Sequence, residues 1–299
     1  MDWDLLRYFL ELARTGRLTA AARRLGVDHT TVSRRVQALE KKLGATLFVR
    51  TPSGMDLTEA GRILLPDAEA MEAAASRVRG QAEQPTNELN GVVRIGATEG
   101  FGSAILAPHL ASFAAIHPHL TIDLLAVSAI VSISRREADI VISLERPQRG
   151  PFVVTKLCDY TLKLYGAKTY LANCPPLRSL HDLRHHSLIG YVDDLLFSKQ
   201  LQFVNEIDPP ERFTLRSTSV VAQLNATAAG GGLSVLPAFL ADGDARLVPV
   251  LEQEVRFHRA FWMSMPEEVK QVPRIRKTWD YLREVIAAEH ALLLGGRRC

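Results

Sequence analysis

A chain of 299 residues, 47% hydrophobic and 23% charged, with a formal charge of +3, has room for two or three hydrophobic cores and is neither low-complexity nor uniformly basic. Its first residues carry acids where a secretory leader needs positive charge, and no apolar run reaches membrane-spanning length, so a cytoplasmic protein with no membrane contact is expected. Cys158, Cys174 and Cys299 are too few and too widely spaced for a disulfide framework or a zinc site, and no metal or other cofactor is expected.

The first helix is predicted over residues 4–15, with Leu5, Phe9, Leu12 and Ala13 inward and Gly16 closing it. A shorter helix follows, with Ala21, Ala22 and Leu25 on one side and Gly26 where a helix end needs a left-handed residue. Beyond the turn Gly26-Val27-Asp28, Val32, Val36, Leu39 and Leu43 recur at spacings of four, three and four, an amphipathic stripe that Asp28 is placed to cap. The opposite face holds His29, Thr30, Thr31, Ser33, Arg34, Arg35, Gln37, Lys41 and Lys42, almost all hydrogen-bonding or positively charged groups. Two helices joined by a short turn containing Gly form a helix-turn-helix, whose second helix enters the major groove of DNA by its N-terminal residues. An ordinary helical hairpin with a solvated basic face fits the same pattern, and charge separates the two. From Arg14 to Arg50 there are nine basic side chains against Asp28 and Glu40, a net +7 in a chain whose total is +3, which leaves −4 to everything else. Basicity confined to one motif is the footprint of a phosphate-binding surface.

Residues 47–51 and 55–58 are short strand candidates around Pro52-Ser53-Gly54, a wing with Arg50 on its first strand. Thr58 can cap the next helix, which runs towards Arg79 and which Pro66 should bend in its early turns. Along it Leu64, Ala68, Met71, Ala75, Val78 and Ala82 alternate by four and three, a seam suited to pairing with a second copy of the chain. A helix lying on its own domain is the other arrangement this seam allows. The polar run over residues 80–91, with its Pro and Gly, reads as a linker.

The remainder alternates strands with helices. Strands are predicted at 91–98, 120–127 and 140–144, with a helix over 103–117; a second set has strands at 162–167, 187–192, 213–218 and 233–236, with a helix over 220–229. A long amphipathic helix, 274–294, ends the chain. Runs apolar on both faces and separated by helices argue for parallel strands in an α/β sheet, and two similar halves argue for a cleft between them.

The segments AARRLGV from Ala21, TVSRRV from Thr31, LEKKLGATLFVR from Leu39 and LTEAG from Leu57 resemble LysR-type transcriptional regulators in both spacing and identity, and the similarity extends over nearly the whole chain. IGAT at Ile95, Ala138-Asp139-Ile140 and GGGLSVLP from Gly230 resemble the regulatory domain of that family, itself similar to periplasmic solute-binding proteins. The resemblance implies a winged helix-turn-helix over residues 1–60, a dimerising helix and hinge over 61–90, and an effector-binding domain over 91–299. That domain would contain two Rossmann-like α/β subdomains, 91–161 with 267–299 and 162–266, joined by crossovers near Leu162 and Pro266. It further implies homotetramers, a dimer of dimers through Leu64, Met71 and Val78, that bind double-stranded promoter DNA, respond to a small-molecule effector and contact RNA polymerase. His29-Thr30 replaces the commoner Gln-Pro or Ser-Pro at the start of the recognition helix, so the bases read should differ.

For DNA, the resemblance carries over to His29, Thr30, Ser33 and Arg34, with Thr31 beside them; Arg34 can offer a bidentate fork to guanine. Arg35, Lys41, Lys42 and Arg50 read as phosphate contacts or solvated charges. For the effector, ligands of open α/β sheets sit at the carboxyl ends of strands, beside helix N-termini. That places Thr98, Glu99, Gly100, Phe101 and Ser103 on one side of the cleft and Ser217, Thr218 and Ser219 on the other, with Ser128 as a third contributor. Hydroxyls from both halves can clasp a carboxylate, although Ser217 or Ser219 can instead serve only as helix caps, and Glu99 would repel an anion. No catalytic motif is present, and His181, His185 and His186 read as a solvated surface, so no enzyme is expected. Two alternatives stand beside the effector-responsive regulator: a redox-responsive one using Cys158 and Cys174, although their spacing does not match the peroxide-sensing branch, and a nucleoid-type DNA-binding protein.

Overall fold

The computed structural model describes residues 3–52, 54–82, 89–128, 137–148, 150–203, 207 and 212–296, with the side chains of 3, 70 and 73–82 outside that description. The chain divides into two compact units, one within residues 1–87 and one whose main part runs from residue 88 onward.

The N-terminal unit holds α1 (Trp3–Thr15), α2 (Leu18–Leu25), α3 (His29–Leu43), the two-stranded wing β1 (Phe48–Thr51) and β2 (Gly54–Leu57), and α4 (Glu59–Ala82). Leu5, Leu6, Phe9 and Leu12 on α1 bury against Ala21, Ala22, Val32, Val36 and Leu39 in one core. Each large apolar side chain so buried contributes roughly 1.5–3 kcal/mol relative to exposure. Gly26 ends α2 in the left-handed region, as its position requires. Asp28 takes the extended backbone of an N-cap, but its side chain accepts no capping bond; Thr31 N and Val32 N donate to its carbonyl oxygen instead. Thr58 does cap α4, accepting from Gly61 N at 3.1 Å while donating to the Thr46 carbonyl.

α4 is continuous through Pro66. Its first turns belong to this core: Ala68 is buried in it and Leu64 packs against it, so that part of the expected seam faces its own domain. Among the described side chains of α4 the large hydrophobics left exposed are Ile63 and Met71, while Val78 lies outside them.

The second unit contains β3 (Gly91–Thr98), α5 (Glu99–Phe101), a π-helical turn over Gly102–Leu106, α6 (Ala107–Ala115), β4 (Leu120–Val127), β5 (Ile140–Ser143), β6 (Phe152–Ala167) and α7 (Lys168–Ala172). After these come β7 (Ser187–Gly190), β8 (Arg212–Arg216), α8 (Val220–Ala228), β9 (Leu233–Pro237), α9 (Ala238–Ala241), β10 (Leu247–Val250), β11 (Arg256–Pro266), α10 (Pro273–Ala288) and α11 (His290–Leu293). The strands form one curled sheet in the order β4-β3-β5-β11-β6-β9-β7-β8, with β10 also on β6.

That sheet is mixed, with the expected parallel strands in each lobe. β3, β4 and β5 pair in parallel in one lobe, and β7, β8 and β9 in the other. Between them β6 and β11 run antiparallel to each other and to their neighbours. These two long strands are shared by both lobes, as the ladder on each shows. Leu162–Gly166 of β6 pairs with β9. On β11, Trp262–Ser264 pairs with β5, and the register against β6 shifts between Phe261 and Trp262. The predicted helix at 103–117 begins four residues early, at Glu99, and the last helix breaks at Glu289, whose carboxylate meets His109 Nε2 at 3.1 Å. Ile275, Trp279, Leu282 and Ile286 of α10 bury against the first lobe's side of the sheet.

Candidate nucleic-acid interface and effector cleft

The N-terminal half of α3 presents His29, Thr30 and Arg34 exposed and Thr31 and Ser33 half-buried, because Val32, Val36 and Leu39 take the opposite stripe into the core. Beside it a groove of about 580 Å³ is lined by His29, Ser33, Arg17, Thr19, Arg50 and Pro52 among others. Local bonds hold the wing there. Met55 N donates to the Gly16 carbonyl at 2.7 Å. Gly54, at φ +149, lies so close that a Cβ would sit 2.2 Å from the same oxygen. Glu40, one of two acids in the basic stretch, accepts from Leu47 N at 2.7 Å and Phe48 N at 3.3 Å, tying the end of α3 to β1.

Not every base in that stretch faces outward. Arg14 is held by Glu72 of α4 at 2.5 Å and Glu11 at 3.1 Å. Arg35 of α3 leans on the Tyr8 ring of α1 at 5.7 Å with Asp4 at 3.6 Å, its side chain still 41% exposed. Lys41 and Lys42 are exposed at the far end of α3, Lys42 about 20 Å along the axis from His29. Arg17 and Thr19, which were not singled out from sequence, join the groove because the turn before α2 anchors the wing.

In the second unit, the parallel ladder sets Thr98 beside Val127, so Glu99 and Ser128 emerge next to one another. Ser128 Oγ donates to Glu99 Oε2 at 3.0 Å. From the other lobe Ser219 Oγ donates to Glu99 Oε1 at 2.9 Å while accepting from Ala222 N as the cap of α8. Thr98, Glu99, Gly100, Phe101, Ser128 and Thr218 line one inter-lobe cavity of about 40 Å³. Tyr160, Tyr191, Phe239 and Phe261, none of them singled out from sequence, also line it beside Leu162, with Tyr160 and Phe261 stacked at 4.4 Å. Burial, then the Glu99 charge, pushes the Tyr191 hydroxyl above its ordinary pKa, keeping it a neutral donor. Three expected contributors fall outside this lining, Ser219 among them although its hydroxyl reaches Glu99. Ser103 is exposed on the π-helical turn, and Ser217 is spent locally, its hydroxyl accepting from Ser219 N at 3.1 Å. A larger cavity of about 280 Å³ lies within the second lobe, lined by Leu188, Phe203, Phe213 and Gln223 among others.

The family described as the LysR substrate binding domain matches residues 86–287, and the bacterial regulatory helix-turn-helix proteins of the lysR family match residues 3–62. The chain belongs to the LysR family of transcriptional regulators. It is 28% identical over 290 residues to the Mau operon transcriptional activator of Paracoccus denitrificans, covering 96% of this chain and 97% of that one. In fold, this LysR-type regulator is similar to a full-length OxyR variant from Pseudomonas aeruginosa, with a TM-score of 0.70, 21% identity and coverage of 99% and 100% of the two chains. It is also similar to full-length CbnR in complex with its target DNA, with a TM-score of 0.57, 22% identity and coverage of 95% and 100%.

Within this LysR-family chain the cysteine pair is poorly placed for redox chemistry. Cys158 is half-buried on β6, and burial, then Asp159, pushes its thiol up to about 12, far from a reactive thiolate. Nine residues of strand carry the chain about 30 Å from Cys158 to Ala167, and the short α7 recovers little of that before Cys174. A disulfide needs Cα atoms within about 7 Å. Cys299 lies outside the described residues. His186, expected on a solvated surface, is instead buried, with Nδ1 3.4 Å from the Tyr170 hydroxyl, and burial lowers its pKa. Among the described residues no helix is long and apolar enough to cross a membrane and no cluster could hold a metal ion.

Proposed function

We propose that this regulator acts in the cytoplasm, reading double-stranded promoter DNA with the N-terminal end of α3. In this reading Arg34 contacts a base, His29, Thr30, Thr31 and Ser33 meet base edges or phosphates, and Arg17, Arg50 and Lys42 contact phosphates. The observation that carries it is the groove where His29 and Ser33 of α3 meet Arg17 and Arg50 beside a wing pinned by its own backbone. The likeness to a DNA-bound CbnR supports the same reading. Residues 1–60 are then the reading head, 61–90 the dimerisation segment through the exposed Ile63 and Met71, and 91–299 the sensing domain of a dimer of dimers.

A small-molecule effector binds between the lobes. The present cavity, about 40 Å³, holds only a few waters, against a few hundred Å³ for ordinary ligand pockets, so the effector enters as the lobes part. Such an effector shifts the regulator only by its differential affinity for the two lobe arrangements. The test is selection by the full-length protein from a pool of randomised duplexes, followed by footprinting. Enrichment of two related half-sites is expected; an unenriched pool with uniform protection would overturn sequence-specific reading in favour of a nucleoid-type protein.

A further inference from the structure

The clasp between the lobes already grips a carboxylate, and it is the chain's own. Ser128 and Ser219 approach Glu99 from opposite lobes and each donates to a different oxygen. The Ser219 hydroxyl has a single proton; because it accepts from Ala222 N, that proton is directed at Glu99. Glu99 makes no ion pair among the described residues, so hydroxyls and the positive end of the nine-residue α8 are what hold its charge. A bound effector's acid group would receive the same set of partners.

The closeness of the lobes at this point is also built in. A Cβ on Gly100 would meet Val220 Cγ1 of α8 at 2.8 Å and Leu240 Cδ1 at 2.8 Å, so a side chain there would hold the lobes apart. Beside the carboxylate there is space for only a few waters. An anionic ligand would therefore face a like charge with both serine protons already committed.

We propose that Glu99 is a tethered stand-in for an effector carboxylate: it closes the lobes on itself, excludes anionic effectors from the clasp, and on removal leaves a site for a small monocarboxylate. The proposal rests on the inter-lobe cleft being the sensing site. Acetate is the probe, because it reproduces the Glu99 side chain beyond Cβ.

Full-length wild type, Glu99→Ala and Glu99→Gln are compared in sodium acetate against equal sodium chloride, by thermal midpoint and by footprint on a selected duplex. Glu99→Ala should melt below wild type and recover with acetate in the millimolar range, and should lose that recovery when Ser128→Ala and Ser219→Ala are added. Wild type and Glu99→Gln, whose side chains fill the site, should not respond beyond chloride. If Glu99→Ala is unfolded in chloride, its recovery of native circular dichroism in acetate is the expected result. No acetate effect on Glu99→Ala, or an equal effect on wild type, overturns the proposal. A midpoint that recovers while the footprint never changes supports the clasp and overturns the cleft as the sensing site.

Discussion

Arg34→Ala separates base reading from phosphate attraction at one position. Arg34 is exposed and makes no ion pair among the described residues, whereas its neighbour Arg35 is engaged by Asp4 and the Tyr8 ring. A bidentate arginine contact to guanine is worth about 1–3 kcal/mol of discrimination, so Arg34→Ala should weaken the selected site about 5- to 150-fold. Random duplex of equal length should lose far less. Lys42→Ala, about 12 Å further along the α3 axis than Arg34, should weaken both duplexes alike and reduce the slope of log K against log salt by about one. Fluorescence anisotropy at several salt concentrations reads both quantities. Arg35→Ala serves as the internal comparison, expected to lower thermal stability while preserving the ratio of selected to random affinity. Equal losses on both duplexes for Arg34→Ala would remove it from base reading and refute the assignment of the α3 face.

Met71→Glu places two carboxylates in a shared apolar seam, where desolvation and like charge both oppose pairing, and sedimentation should show dimers weakened; unchanged mass would place the interface elsewhere on α4. Thr218→Val deletes a hydroxyl from the cleft lining with little change of shape, and should abolish the footprint change produced by an effector found through a thermal-shift screen; a variant that still responds locates sensing elsewhere. The Cys158 thiol, ordinarily near 9.0 and raised to about 12 in the fold, adds nothing to pH dependence below 9. Between 9 and 12 the unfolded chain loses that proton and the folded chain keeps it, so stability should fall with rising pH across this window, less steeply in Cys158→Ala. Maleimide labelling at pH 8 checks the same burial, with Cys158 expected to react only on unfolding.

What could be read from sequence follows from how locally each element is determined. α1, α2 and α3 announce themselves because their apolar residues recur at helical spacing and Gly16, Gly26 and Gly44 fall at their ends, all three left-handed. β3 and β4 are apolar on both faces and match their predicted bounds. β6 was legible only in its second half, Leu162–Ala167. Its first half carries Thr155, Lys156 and Asp159, and is held in the sheet by β11, about a hundred residues later. β11 itself begins with Arg256, His258 and Arg259, and such polar positions in a central strand make sense only once its antiparallel partner is known. The early start of α5 was hidden by Gly100 and Gly102, which are poor helix formers in isolation but occupy points where neighbouring elements leave no space for a Cβ.

The sites divide along the same line. Residues proposed to act by being exposed, such as His29, Thr30 and Arg34, can be taken from one face of one helix. Arg14 counts as basic charge in sequence and is withdrawn by Glu72 on another helix, while Arg35 pairs with Asp4 across helices and stays partly exposed. In the cleft, the loops at strand ends were legible, but Tyr160, Tyr191 and Phe261 reach it through the curl of the sheet, and sequence distance conceals that convergence. Glu99 makes the point most sharply. Read alone it is a charge that repels an anion; set between Ser128 and Ser219 it occupies the anion's place. The partners that decide between those two descriptions lie 29 and 120 residues away, one from each lobe, so the meaning of this acid is a property of the closed fold and not of its local segment.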